Sequence, residues 1–268
     1  MLPYPISTVG PIARNPYDLS MLLQTILPEG RKTDFDASKV IDKSKEDLNT
    51  LVNTSKIGWL ADWGGSLPFE DGVLSHCRRS LEVLESGGCS IEHISTAPFP
   101  NDELWEAWLV IRSNHIFTGL QESIGCKTEQ VIPTLTNRGV KREAIWECEC
   151  GISQTPQDLK LAIQKVRDWS LCADDVFKTY DFLALPSSQV YPFDASIDWP
   201  KTINGKKMDT YHRWMEVMVP VTLLGTRCVT LPAIKLFGLP MGIQIFSKRG
   251  IDAKLLELAR WYHENLND

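Results

Sequence analysis

The chain has 268 residues, of which 43% are hydrophobic and 23% charged, and its formal net charge is −6. These values are ordinary for a folded globular protein, and the length fits one large domain or two small ones. The acidic balance argues against a nucleic-acid or anionic-membrane partner, and no apolar run reaches the roughly 18 residues of a membrane span.

Along the chain, the first predicted element is a helix that begins after Asn15. Asn15 can cap this helix, and Pro16 suits its first position. Its apolar face is expected to comprise Leu19, Leu22, Leu23 and Ile26. Residues 29–53 that follow are polar, with lysine and aspartate interspersed, and predict a mobile surface connection, with a regulatory or partner-binding loop as the alternative.

The next stretch predicts a strand, a helix and a second strand. Residues 56–61 are the first strand, the helix runs from Val73 to a stop at Gly87, and residues 90–94 alternate as a second strand. This order indicates a βαβ-like unit.

The middle of the chain predicts a series of helices, and one more ends it. Their expected ranges are 101–123, 141–152, 156–180, 208–224 and 252–265. Pro220 is expected to kink or end the fourth of these. The tryptophans at helical spacing are expected in the core rather than in a base-stacking platform: Trp105, Trp108, Trp146, Trp169 and Trp214.

Three short apolar runs bounded by Gly and Pro predict core strands. They are residues 180–186, 228–231 and 241–246. Because strand ends often face the site in α/β sheets, Ser187 and Ser188 after the first run are candidates for a nucleophile. No glycine flanks them to form a tight loop with free N–H groups, which favours a plain turn. Gly64-Gly65-Ser66 predicts a plain turn, since Leu67-Pro68 follows it instead of further glycines.

Histidine and cysteine side chains give little sign of a catalytic or metal site. The seven cysteines are odd in number and irregularly spaced, which favours free thiols in a reducing compartment. Cys148 and Cys150 have no second pair at zinc spacing, and the histidines lack metal-ligand spacing. We therefore expect a cytoplasmic protein with no metal and no cofactor.

Several of these segments resemble the amidase signature family of hydrolases. GLPMGIQI at 238–245 is similar to a C-terminal signature strand of that family, and YDFLALP at 180–186 to the strand before it. GWLADWGGSLPFE at 58–70 and STVGPIAR at 7–14 resemble further family segments, in the same order. The resemblance implies an α/β fold with a mixed β-sheet flanked by helices, forming a single domain over 1–268.

The resemblance also implies amide hydrolysis by a Ser-cisSer-Lys triad. No lysine here is followed, at long separation, by a Gly-Ser-Ser-Gly loop, so we expect this chain to be the C-terminal half and to hold no catalytic residue. Pocket walls for a small-molecule amide are expected from Ser187, Ser188, Gln189, Tyr191, Trp214 and Met218. The apolar character of Phe182, Leu185 and Phe193 in the same regions suggests an aromatic or aliphatic acyl group.

Half a sheet should leave an unpaired strand edge and an apolar face open to water. The expected partners are therefore an N-terminal half or a second copy of this chain. Two other interpretations stay open: a non-catalytic binding or assembly protein derived from an amidase, and an independent hydrolase using a local cysteine or serine.

Overall fold

The computed structural model describes residues 6, 10–27, 35–235 and 238–266. The strands of the described residues are β1 Lys56–Trp59, β2 Ser90–His93, β3 Phe182–Pro186, β4 Thr202–Ile203, β5 Lys206–Lys207, β6 Arg227–Pro232 and β7 Gly242–Ser247. Five of them form one sheet in the order β2-β1-β3-β7-β6, and β4 and β5 form a separate hairpin. Strand β1 is parallel to β2 and β3, whereas β7 is antiparallel to β3 and β6. The predicted α/β class with a mixed sheet is confirmed.

Ten α-helices occur in the described residues: α1 Pro16–Ile26, α2 Ala37–Ile41, α3 Lys45–Thr54, α4 Val73–Ser86, α5 Asn101–Ile124, α6 Thr128–Asn137, α7 Arg142–Ser153, α8 Pro156–Val176, α9 Val219–Leu224 and α10 Asp252–Asn265. The side chain of Asn15 accepts a hydrogen bond from Asp18 N and caps α1 as predicted. The βαβ unit is confirmed, since α4 connects the parallel strands β1 and β2. The helix over 252–265 is also confirmed.

The core forms where the helices cover the sheet. Helices α4 and α10 contact the strands, and α5 packs against α7, α8 and α9. The largest fully buried side chains are aromatic, and each buries enough apolar area to dominate its surroundings; they include Trp63, Trp169, Tyr262, Phe182 and Phe246.

The predicted polar connection over 29–53 is wrong for most of its described residues. Helix α2 and helix α3 occupy much of it, and residues 29–34 lie outside the described residues. The physical reason is that Leu48 and Val52, one helical turn apart, are both fully buried. Ser44 also caps α3 through Asp47 N, with two acidic residues in the first turn. The polar residues thus belong to the solvent face of an amphipathic helix.

The predicted helix over 208–224 is wrong in its continuity. A 3-10 helix over Arg213–Met218 precedes α9, and Met215 departs from helical geometry at φ −115° and ψ 20°. Pro220 lies in the first turn of α9, where its missing N–H costs nothing, so it neither ends nor kinks that helix.

Two predicted buried faces are only partly buried. In α1, Leu22 and Ile26 are 43% and 49% exposed. Trp146 on α7 is 36% exposed, whereas Trp105, Trp108 and Trp169 are buried as predicted. Helix α6 was not predicted at all.

Helix α7 crosses α5 so closely at Gly151 that a side chain there cannot fit. A Cβ at Gly151 would lie 2.5 Å from the main-chain oxygen of Ser113, whereas a Cβ at Gly119 of α5 would meet nothing within 4 Å. We expect Gly151→Ala to lower the free energy of unfolding by about 1–3 kcal/mol. Gly119→Ala should raise it by up to about 1 kcal/mol through helix propensity. Urea denaturation of both variants measures this, and equal effects of the two would contradict the packing.

Candidate functional site

A groove with a volume of about 450 Å³ opens where the parallel strands end. Strands β3 and β6 end at Pro186 and Pro232, and β7 begins beside them at Gly242. The carboxyl edge of parallel strands is the usual place for a site in α/β sheets. The groove is lined by Ser187, Ser188, Val190, Tyr191, Pro192, Phe193, Trp214, Thr230, Leu231, Pro232, Pro240, Met241 and Gly242.

Four of the six predicted wall residues lie in this groove. Ser187, Ser188 and Tyr191 follow β3, and Trp214 approaches from the 3-10 helix. Phe193 also lines the groove, and its ring meets that of Trp214 edge to face at 5.3 Å. The rest of the lining is not predicted from the sequence as part of a pocket; it comprises Val190 and Pro192 after β3, three residues of β6, and residues 240–242 at the start of β7.

The other predicted residues lie outside the groove lining. Gln189 is fully buried, and its side chain donates to Pro68 O at 3.0 Å and accepts from Val217 N at 3.1 Å. Met218 is 46% exposed, at the end of the 3-10 helix. Phe182 and Leu185 are buried within β3 and contribute to the core.

The two adjacent serines, Ser187 and Ser188, are held by hydrogen bonds to the main chain. Ser187 N donates to Gly242 O at 2.9 Å and connects the start of β7 to the end of β3. The Ser188 hydroxyl donates to Val190 O at 2.8 Å and accepts from Val190 N at 3.2 Å. This is the local hydrogen bonding by which serine stabilises turns, so the Ser188 hydroxyl is used by the backbone.

Tyr191 is oriented by a buried histidine. His76 lies 3.0 Å from the Tyr191 hydroxyl through Nδ1 and 2.6 Å from Ile234 O through Nε2. Because a carbonyl only accepts, the Nε2–H of His76 donates to Ile234 O, and Nδ1 is the partner of the Tyr191 hydroxyl. Burial raises the pKa of Tyr191, so the hydroxyl stays a donor. His76 therefore holds the groove wall in place without facing the groove.

The other polar clusters of the described residues form no catalytic constellation. The Gly64-Gly65-Ser66 segment forms a turn as predicted, in which the Ser66 hydroxyl donates to Trp63 O at 2.7 Å. Within the described ranges, no three His, Cys, Asp or Glu side chains come together as metal ligands. In the same part of the chain, every helix is too short or too polar to cross a bilayer.

His212 precedes Trp214 by two residues and is not part of the groove lining. Its ring packs against Trp108 at 5.3 Å, and Nε2 is 3.6 Å from Glu147. Arg112 engages that carboxylate more closely. Burial, helped by the Arg112 charge, lowers the pKa of His212 to about 4. His212 is therefore a neutral packing residue at physiological pH.

The chain is similar to known proteins over nearly its whole length. The model of the family described as Amidase matches residues 2–256. The chain is 23% identical over 288 residues to a glutamyl-tRNA(Gln) amidotransferase subunit of Clostridium botulinum, covering 98% of this chain and 55% of the relative. The corresponding protein of Shouchella clausii is 25% identical over 283 residues, with 98% and 56% covered.

Solved structures show the same fold. A bacterial aryl acylamidase of the amidase signature family matches with a TM-score of 0.77 and 18% identity, covering 96% of this chain and 52% of that chain. The corresponding glutamyl-tRNA(Gln) amidotransferase subunit from Thermotoga maritima matches with a TM-score of 0.62 and 20% identity, again covering 96% and 52%. The chain thus spans about half the length of the relatives that it matches.

Proposed function

Since this chain belongs to the Amidase family, we propose that it supplies the acyl-side wall of an amide-hydrolysing site whose attacking residues lie outside it. The observation that carries the proposal is the groove at the carboxyl edge of the sheet. Among the described residues, its lining offers packing surfaces and the turn serines, but no side chain placed as a base beside a free nucleophile.

In the intact enzyme, the reaction is hydrolysis of a carboxylic amide C–N bond. In the family, the second serine of a Ser-cisSer-Lys triad attacks the carbonyl carbon, and the proton passes through the bridging serine to the lysine. The amine leaves, and water then releases the acid. In our proposal, Ser187, Ser188, Tyr191 and Trp214 enclose the acyl group while this chemistry proceeds from the facing side.

The groove lining favours an uncharged acyl group. None of its described residues is charged, and most are apolar, including Phe193, Trp214 and Met241. Burying a charged group there would cost several kcal/mol without a partner. An aromatic or aliphatic amide is therefore our preferred small-molecule substrate class, as in the aryl acylamidase whose fold this chain shares.

Of the two end strands of the sheet, β2 and β6, the strand β6 borders the groove and indicates where a partner would add. β6 is an end strand, and its Arg227, Cys228, Thr230 and Pro232 side chains are exposed. An end strand offers unpaired main-chain groups to another chain. We infer that an N-terminal half, or a second copy, pairs near β6 and closes the groove, and that the protein works in the cytoplasm.

A non-catalytic binding or assembly role is the second candidate. The uncharged, mostly apolar groove supports it, because such a groove binds an uncharged ligand whether or not a nucleophile faces it. The coding sequence upstream of Met1 discriminates between the two. An open frame with a lysine followed by a Gly/Ser-rich loop supports the hydrolase, and a clean start region supports the binding protein.

Binding of phenylacetamide to the isolated chain tests the groove itself. We expect Kd of about 1 mM in ligand-observed NMR, the weak affinity typical of a small ligand on a half-open site. Trp214→Ala should weaken binding about 10-fold or more, because it removes a wall of the groove. Trp146→Ala, a partly exposed tryptophan on α7, is the matched control and should leave Kd unchanged. Equal effects of the two substitutions would refute the proposed acyl pocket.

A further inference from the structure

Trp214 is positioned by its main chain and by packing on a small apolar cluster of Val190, Ile203 and Met208. Its indole N–H is buried and makes no hydrogen bond within the described residues. Its ring contact is the edge-to-face packing on Phe193 at 5.3 Å. The 3-10 helix that carries it is interrupted at Met215, so a continuous helical ladder does not fix its position.

Two buried glutamines hold that helix at Val217, three residues after Trp214. Gln189 accepts a hydrogen bond from Val217 N at 3.1 Å, and Gln244 donates to Val217 O at 3.1 Å. Gln189 is fully buried and Gln244 is 3% exposed. Both main-chain groups of one residue are thus fixed by side chains from elsewhere in the fold.

The same glutamines connect Val217 to two other parts of the fold. The amide nitrogen of Gln244 has two protons, and it also donates to Pro186 O at 2.9 Å, at the end of β3. Gln189 donates to Pro68 O at 3.0 Å, in the turn after β1. Because Pro186 O and Val217 O bind the same amide nitrogen, Gln244 holds the end of β3, which leads into the serine wall, next to the segment that carries Trp214.

We propose that Gln189 and Gln244 are positioning residues that fix the Trp214 wall, and so set the size of acyl group that the groove accepts. This inference rests on the proposed function, in which the groove holds the acyl group. A glutamine has both a donor and an acceptor, and here each glutamine is matched to buried main-chain partners, which no apolar residue of the same length can reproduce.

The test uses the isolated chain labelled with 5-fluorotryptophan. The nine tryptophans of the chain give nine ¹⁹F signals. Loss of one signal in Trp214→Phe identifies Trp214. In Gln244→Met, which keeps the length but removes both donors, we expect the Trp214 signal to shift or broaden while those of the core residues Trp63 and Trp169 stay in place. Gln157→Met, on the exposed face of α8, should leave all nine unchanged.

Phenylacetamide binding then tests whether the position of Trp214 determines the affinity of the groove for its ligand. We expect Kd to rise about fivefold or more in Gln244→Met and to stay unchanged in Gln157→Met. Failure of the unsubstituted chain to bind phenylacetamide would count against the proposed function alone, because the ¹⁹F measurement needs no ligand.

A Trp214 signal that stays in place in folded Gln244→Met would overturn the positioning role, as would a uniform shift of all nine signals. Should Gln244→Met fail to fold, Gln189→Met decides in the same way, since it removes the bond to Val217 N and leaves Gln244 intact. We expect that variant, too, to move the Trp214 signal selectively.

Discussion

Replacing Trp169 with alanine is expected to lower the free energy of unfolding by about 3–5 kcal/mol. Trp169 is fully buried, and its indole N–H donates to Pro220 O at 2.9 Å. Its ring meets Trp63 edge to face at 5.4 Å. The substitution leaves a large cavity and removes the hydrogen bond to Pro220 O in the first turn of α9, and both effects destabilise the folded state.

Urea denaturation followed by circular dichroism measures this loss. Trp146→Ala is the matched control, because Trp146 is 36% exposed and its loss opens no comparable cavity; we expect less than about 1.5 kcal/mol there. Trp169→Phe should fall between the two, since it retains most of the packing but not the hydrogen bond. Similar losses for Trp169→Ala and Trp146→Ala would show that the described core is wrong.

His212 should make the fold weaker in acid. Burial lowers its folded-state pKa to about 4, below the ordinary value of about 6.5. The unfolded chain therefore binds a proton between these pH values that the folded chain does not. Its contribution to stability is fully present above pH 6.5 and is lost as the pH falls towards 4, by about 2–3 kcal/mol.

The difference between the native chain and His212→Phe isolates this effect, since phenylalanine preserves the ring packing on Trp108. We expect the native chain to lose stability relative to the variant as the pH is lowered from 7 to 4. His115→Phe, at an exposed position of α5, should parallel the native chain throughout. Parallel curves for all three proteins would mean that His212 titrates normally.

Much of the fold could be predicted because local patterns agreed with tertiary packing. The β-branched and apolar run at 242–247 is buried at every position, and the capping box at Thr155 and Asp158 begins α8 where it was expected. The helix α3 was missed because its interior has few apolar residues, although Leu48 and Val52 already had helical spacing. Asn204-Gly205 carries the turn signal of a two-residue hairpin, and β4 and β5 pair across it.

The candidate site could be predicted only in part, because sequence position does not say which way a side chain faces. Ser187 and Ser188 were found because they directly follow a strand. Gln189 was grouped with them by adjacency, yet the fold commits its side chain to Pro68 O and Val217 N. Leu231 and Met241 join the groove only through the pairing of β6 with β7, a long-range contact that no local pattern reveals.

The central claim is that this chain builds a wall of the groove and provides no attacking residue. Treating the purified chain, without any companion, with a serine-reactive fluorophosphonate and with the 4-nitroanilide of phenylacetic acid tests it most directly. We predict no labelled serine by mass spectrometry and no release of 4-nitroaniline above the uncatalysed rate. Labelling of Ser187 or Ser188, together with turnover that disappears in the Ser187→Ala and Ser188→Ala variants, would contradict it.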